Sequence, residues 1–323
     1  MSKTFKLSFI ILFSVTGLQV MRILSSLLPL SDNILGWGFS FMMQCLFLGL
    51  FPYLIYKATI KEGCFVRDVK IKAKVNPLSY LIAVLIGLLT YGVNIGASSI
   101  WYVILNALGF TYTRGGGVLF TSPEVLILEI ITSCMLPAIF EEITDRGILL
   151  ASLDDVKSDT IKIIVLGLFF GACHQNAPQL GPTALAGVII GFMAVKSGSI
   201  LPGMIVHFIN NFIITMGSYV DQKGINLGLL TQIEDALYSS GLILLVSAGC
   251  GILLVFTLYL FQKINAKYLI KDDEQINNTL YEVYGFGASP KKKAGALDYS
   301  LLVIAFISAL LVTGFTFYWG LMR

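Results

Sequence analysis

Histidine occurs only twice in the chain, at positions 174 and 207, and both residues lie within apolar runs. His174 closes the run Phe170-Gly-Ala-Cys-His174, and His207 opens His207-Phe-Ile-Asn-Asn211, in which His207 and Asn211 stand four residues apart and share a helix face. Upstream, the run Phe140-Glu-Glu-Ile-Thr-Asp-Arg-Gly147 carries Glu141, Glu142, Asp145 and Arg146 between apolar flanks. An ionisable side chain in the middle of a membrane helix costs about 2.5–3.5 kcal/mol on insertion scales, so residues of this kind are candidates for function. Glu142 and Arg146 have the i, i+4 spacing at which an internal ion pair lowers that cost. Glu141 points about 100° away from Glu142 and meets Asp145 one turn later, so no basic residue nearby on the helix neutralises it. A carboxylate, two imidazoles and a carboxamide are together sufficient to activate a water and to stabilise a tetrahedral oxyanion. Cys173 adjoins His174 but points away from it, which argues against a Cys–His dyad.

These residues need a scaffold built for lipid. Hydrophobic residues make up 56% of the chain and charged residues 13%, with a mean hydropathy of +0.82, far from the balance of a soluble domain. Apolar runs at about 5–29, 34–57, 78–107, 123–152, 161–175, 182–196, 199–220, 240–263 and 298–321 predict an all-α polytopic transmembrane bundle of eight or nine helices. Counted at 1.5 Å per residue from one membrane face, Glu141, His174, His207 and Asn211 fall at depths of roughly 16, 20, 12 and 18 Å, near the bilayer midplane. With the N-terminus cytoplasmic, 17 of the 22 basic residues lie on the inner side, the asymmetry that sets orientation. The chain then divides into N-terminal membrane helices over 1–122, a core over 123–220, and C-terminal helices over 221–323 with a cytoplasmic loop at about 264–297 that includes Lys291-Lys-Lys293. Gly115-Gly-Gly117 reads as a flexible outer loop, and the segment from Ile225 to Leu237 as mildly amphipathic. Five scattered cysteines without a C-x-x-C pair argue against a disulfide framework, and no basic tract suits nucleic acid.

In order, Glu141-Glu142-x-x-x-Arg146, Phe170-x-x-x-His174 and His207-x-x-x-Asn211 resemble the three motifs of the CPBP family of intramembrane proteases, the CAAX-protease and bacteriocin-processing (Abi) group that includes the type II CAAX prenyl endopeptidases. The resemblance spans about 123–220. It implies that Glu141 and His174 activate the attacking water and that His207 and Asn211 stabilise the oxyanion, with Glu142 and Arg146 supporting the site. Asp145 departs from the family pattern, which commonly has an aromatic residue before the motif arginine. The expected activity is hydrolysis of membrane-associated peptides or proteins at a multi-pass site in a bacterial plasma membrane, in peptide maturation, bacteriocin immunity or signalling-peptide processing.

Glutamate-activated water without a cofactor is the preferred reading. The alternative is a zinc ion held by Glu141, His174 and His207 with water in the fourth position. A competing function is a non-catalytic membrane scaffold, or an ion-coupled transporter using the same buried polar groups. The internal repeat that transporters commonly carry is not seen in the sequence.

Overall fold

The computed structural model describes residues 1–27, 33–61, 63–71, 74–111, 118–225, 241–284 and 294–322. Over these residues the chain is helical, 84% with no strand. The helices are α1 (Lys3–Leu27), α2 (Gly36–Thr59), α3 (Leu78–Ala107), α4 (Pro123–Ser152), α5 (Asp159–Cys173), α6 (Ala177–Ser197), α7 (Leu201–Lys223), α8 (Ile243–Tyr284) and α9 (Ser300–Leu321). Among the described residues eight helical spans are long and apolar enough to cross a membrane, one in each helix but α5. The expected crossing near 161–175 is α5, whose 15 residues reach about 22 Å, short of a hydrocarbon core of roughly 30 Å.

The outer surface is apolar where a soluble protein would be polar, with Ile252, Val255 and Leu311 exposed by 74%, 70% and 68%. An apolar surface on this scale needs lipid as its solvent. Inside, one core joins Leu7, Ile10 and Ile11 of α1 to Ile148 and Leu149 of α4, Leu166 and Phe169 of α5, and Leu302 and Ala305 of α9. A second joins Ala83 and Ile86 of α3 to Ile189 and Met193 of α6, Val206 of α7 and Phe261 of α8. The chain is therefore a multi-pass membrane protein folded as a helical bundle.

Polar contacts tie the helix ends together in two groups. At one end Lys3 Nζ lies 2.7 Å from Asp68 Oδ2, Lys196 Nζ donates to Asp159 Oδ2 at 2.7 Å, and the Ala294 amide donates to Asp155 at 2.9 Å. At the other end Thr111 donates to the Gly320 carbonyl at 2.9 Å, and Gln222 to that of Val118 at 3.1 Å.

One expectation changes. The polar stretch after Lys263 was expected as loop, yet α8 runs on to Tyr284. Residues 264–284 contain no proline or glycine and many good helix formers, so polarity there marks a departure from lipid rather than an end of the helix. Gly115 to Gly117, Lys291 to Lys293 and nearly all of the amphipathic segment after Ile225 lie outside the described residues.

Candidate active site

Two features of α4 shape the site. Pro137 lacks an amide hydrogen and follows a π-helical stretch, Ile130–Met135, while a second such stretch, Ile143–Leu149, begins just after Glu142. Wide turns of this kind recur at functional sites, and these two bracket the glutamates. Beside them, Gly49 of α2 admits the Phe140 ring so closely that an added Cβ would stand 2.6 Å from it.

Glu142 and Arg146 are both fully buried, and Arg146 Nη1 donates to Glu142 Oε1 at 3.0 Å. Arg146 Nη2 donates to the Gly187 carbonyl of α6 at 3.2 Å, and the guanidinium lies 4.2 Å from the centre of the Phe170 ring. Glu142 Oε1 also meets His207 Nδ1 at 2.9 Å. A carboxylate accepts here, so Nδ1 carries the hydrogen and Nε2 is turned toward Glu141, whose Oε2 is 3.8 Å away. Glu141 is the less buried of the two glutamates, its side chain 22% exposed.

His174 is held differently. Its Nδ1 donates to the Phe170 carbonyl at 2.8 Å, which leaves Nε2 as the ring's acceptor. The Phe170 ring stands edge-on to both imidazoles, at centroid distances of 4.8 Å to His174 and 5.5 Å to His207. Glu141 and His174 line a common cavity between α1, α2, α4 and α5, together with Arg22, Gln44, Thr144, Asp145 and Cys173. The cavity holds about 100 Å³ of space open to water. His207 and Asn211 are not among its lining residues; the Asn211 amide donates to the Ser133 carbonyl on α4 at 3.0 Å. Asp145, which is buried, also lines the cavity and lies 3.8 Å from Arg146 Nη1.

The geometry therefore brings Glu141, Glu142, Arg146 and His207 into one contiguous set, sets His174 on the cavity shared with Glu141, and puts Asn211 against the α4 backbone. Among the described residues no group of three His, Cys, Asp or Glu side chains is arranged to hold a metal ion. Glu141, His174 and His207 do not form such a group; the Nδ1 bonds of the two histidines, to Glu142 and to a carbonyl, leave both Nε2 atoms free.

Three further polar side chains escaped the sequence reading as site residues. Arg22 of α1 donates through Nη1 to the carbonyls of His174 and Gln175, at 2.8 and 3.2 Å, capping the C-terminal end of α5, where a cation is favoured. Gln44 of α2 lines the cavity. Glu129 of α4 accepts from Trp37 at 2.8 Å and, at 2.6 Å, from the hydroxyl of Ser133, the same residue whose carbonyl holds Asn211. The signal for all three was present: a polar or charged side chain inside an apolar run.

Residues 123–213 match the family model described as Rce1-like, type II CAAX prenyl endopeptidase Rce1-like. This match bears out the resemblance drawn from the three ordered motifs and takes in every site residue named from the sequence. No curated protein and no solved structure matched the chain.

Proposed function

We propose that this chain is an intramembrane endopeptidase that hydrolyses membrane-associated peptides with a water activated by Glu141 and His174. The observation that carries the reading is that Glu141 and the His174 side chain face one water-accessible cavity inside an otherwise apolar bundle. The family match supports the same chemistry. A carboxylate with little local neutralisation is suited to take a proton from water, and His174 Nε2, the free acceptor of its ring, orients the same water.

In the proposed step the water oxygen bonds to the scissile carbonyl carbon, the water proton passes to Glu141, and the carbonyl oxygen becomes an oxyanion. His207 and Asn211 are assigned to that oxyanion. His207 acts there as the imidazolium, whose Nε2–H, beside Glu141, donates while Nδ1–H stays on Glu142, and the Asn211 amide keeps one hydrogen free after its bond to Ser133. Collapse breaks the C–N bond, and the proton held by Glu141 moves to the leaving amine. Glu142 and Arg146 orient His207 without touching the substrate. No step is routed through a metal. The basic end of the bundle, with Lys3 and Lys196, is assigned to the cytoplasm.

The test compares purified wild type with Glu141→Gln and His174→Ala on a membrane-peptide pool, with and without chelator, reading new peptide termini by mass spectrometry. Loss of a general base lowers the rate by about 10²–10⁴-fold, so termini made by the wild type should vanish in both variants and persist under chelator. Equal products from folded wild type and variants would refute hydrolysis by these residues and return the scaffold reading. Chelator sensitivity restored by zinc would overturn the metal-free step.

A further inference from the structure

The wall of the cavity facing Glu141 and His174 comes from α1 and α2, outside the segment that matches the family model. Most of it is apolar: Ile11, Val15 and Leu18 on one stripe of α1, and Met43 and Leu48 on α2. Two polar side chains interrupt it. Ser14 is fully buried, and its Oγ makes no hydrogen bond, not even the common one to a carbonyl of the preceding turn. Gln44 is 8% exposed, and its buried Oε1 has no partner. It lies in a third π-helical stretch, Met43–Leu50. The two helices meet closely, the Phe47 ring lying against Gly17 with no room for a Cβ. The two polar groups are thus built into a tight helix pair rather than left in slack packing.

Buried polar groups are satisfied in the great majority of cases, and each exception calls for an explanation. Two on one wall of a reaction cavity share one: they are satisfied by what enters it. A peptide to be cut inside a bundle must be unwound around the scissile bond, because a helical carbonyl is screened by its own turn and tied to an amide. Unwinding leaves amide hydrogens and carbonyls unpaired in an apolar setting, which is costly. A carboxamide offers the same donor and acceptor as a peptide group, and a hydroxyl offers both from one atom.

We infer that Gln44 and Ser14 form a subsite that hydrogen-bonds the backbone of an extended peptide opposite the catalytic pair, while the apolar stripe receives its side chains. The inference rests on the proposed hydrolysis. It makes Gln44 and Ser14 positioning residues, and the bonds they give are made alike before and during reaction, so their loss acts on KM rather than on kcat.

The probe is a quenched fluorogenic peptide copying a sequence that the wild type cleaves in the membrane-peptide pool. Gln44→Leu and Ser14→Ala are each expected to raise KM about 3- to 10-fold, with kcat within about twofold of wild type. Each substitution also removes a buried unsatisfied polar group, so thermal unfolding in micelles should occur at an equal or higher temperature than for wild type. A residue that only holds the fold together would give the opposite stability result. An unchanged KM in both variants overturns the subsite, and so does a lowered unfolding temperature with kcat and KM both impaired. A wild type that cleaves nothing refutes the hydrolytic reading itself and takes the subsite with it.

Discussion

Replacing Arg146 by methionine keeps much of the side-chain bulk and removes a permanent charge from a site with no access to solvent. Arg146 and Glu142 are each 0% exposed, so among the described residues the remaining carboxylate would keep His207 as its one side-chain hydrogen-bond partner. The substitution also leaves the Gly187 carbonyl without its donor and takes the cation from the face of Phe170. Breaking a buried pair from one side costs about 3–5 kcal/mol, because the partner is left as an uncompensated charge. That corresponds to a fall of about two to three and a half powers of ten in the folded-to-unfolded ratio. Adding Glu142→Gln removes the orphan charge while leaving an oxygen to accept from His207, and the double variant should recover to within about 2 kcal/mol of wild type. The assay is denaturant unfolding in mixed micelles followed by tryptophan fluorescence. Trp101, whose indole donates to the Ala177 carbonyl at 2.8 Å, reports on the start of α6. If Arg146→Met is no less stable than wild type, or if the double variant is no better than the single, the pair is not an electrostatic unit and the argument fails.

Arg22→Met should lower kcat by up to about 10²-fold by freeing the end of α5 that carries His174; Arg22→Lys, which keeps the cation, should recover part of the loss, and equal rates in all three proteins would show that the cap does not position His174. Gly187→Val should destabilise by about 1–3 kcal/mol and impair turnover, since even a Cβ would lie 2.9 Å from Gly167 Cα and 3.0 Å from Phe170 Cβ; unchanged thermal unfolding would refute the close α5–α6 contact. Cys64, exposed beside the Lys3–Asp68 bridge, should react with a membrane-impermeant maleimide only from the cytoplasmic face. Labelling from outside intact cells would invert the assigned orientation.

The ion pair of Glu142 with Arg146, and the separation of Glu141 from it, could be read from spacing alone, because i and i+4 on one helix are neighbours whatever the rest of the chain does. The eight long crossings were legible for a similar reason: apolar length is a local property. What could not be read depends on helices distant in sequence. Nothing near Gln44 says that it faces His174, and nothing near Arg22 says that its acceptors are carbonyls 152 and 153 residues away. The bond between His207 and Glu142 spans 65 residues and follows from how α7 packs on α4, not from either motif. The continuation of α8 to Tyr284 was missed for another reason. Hydropathy reports the solvent around a helix, and a helix does not have to stop where its solvent changes.

The position of α9 has a consequence in time. Ser8 of α1 donates at 3.1 Å to the carbonyl of Asp298, in the turn that leads into α9, and Gln19 donates to Ser308 of α9 at 3.2 Å. On the other side Phe306 stacks on Phe169 of α5 at 6.0 Å, and Thr316 accepts from the Ala177 amide at 3.3 Å. One helix therefore braces both the wall that carries Ser14 and Arg22 and the hairpin that carries His174. It is synthesised after everything it braces. At translation rates of about 5–20 residues per second, roughly 150 residues separate His174 from the end of α9, a wait of about 7–30 s. During that interval the nascent bundle holds these side chains but not the brace that sets them.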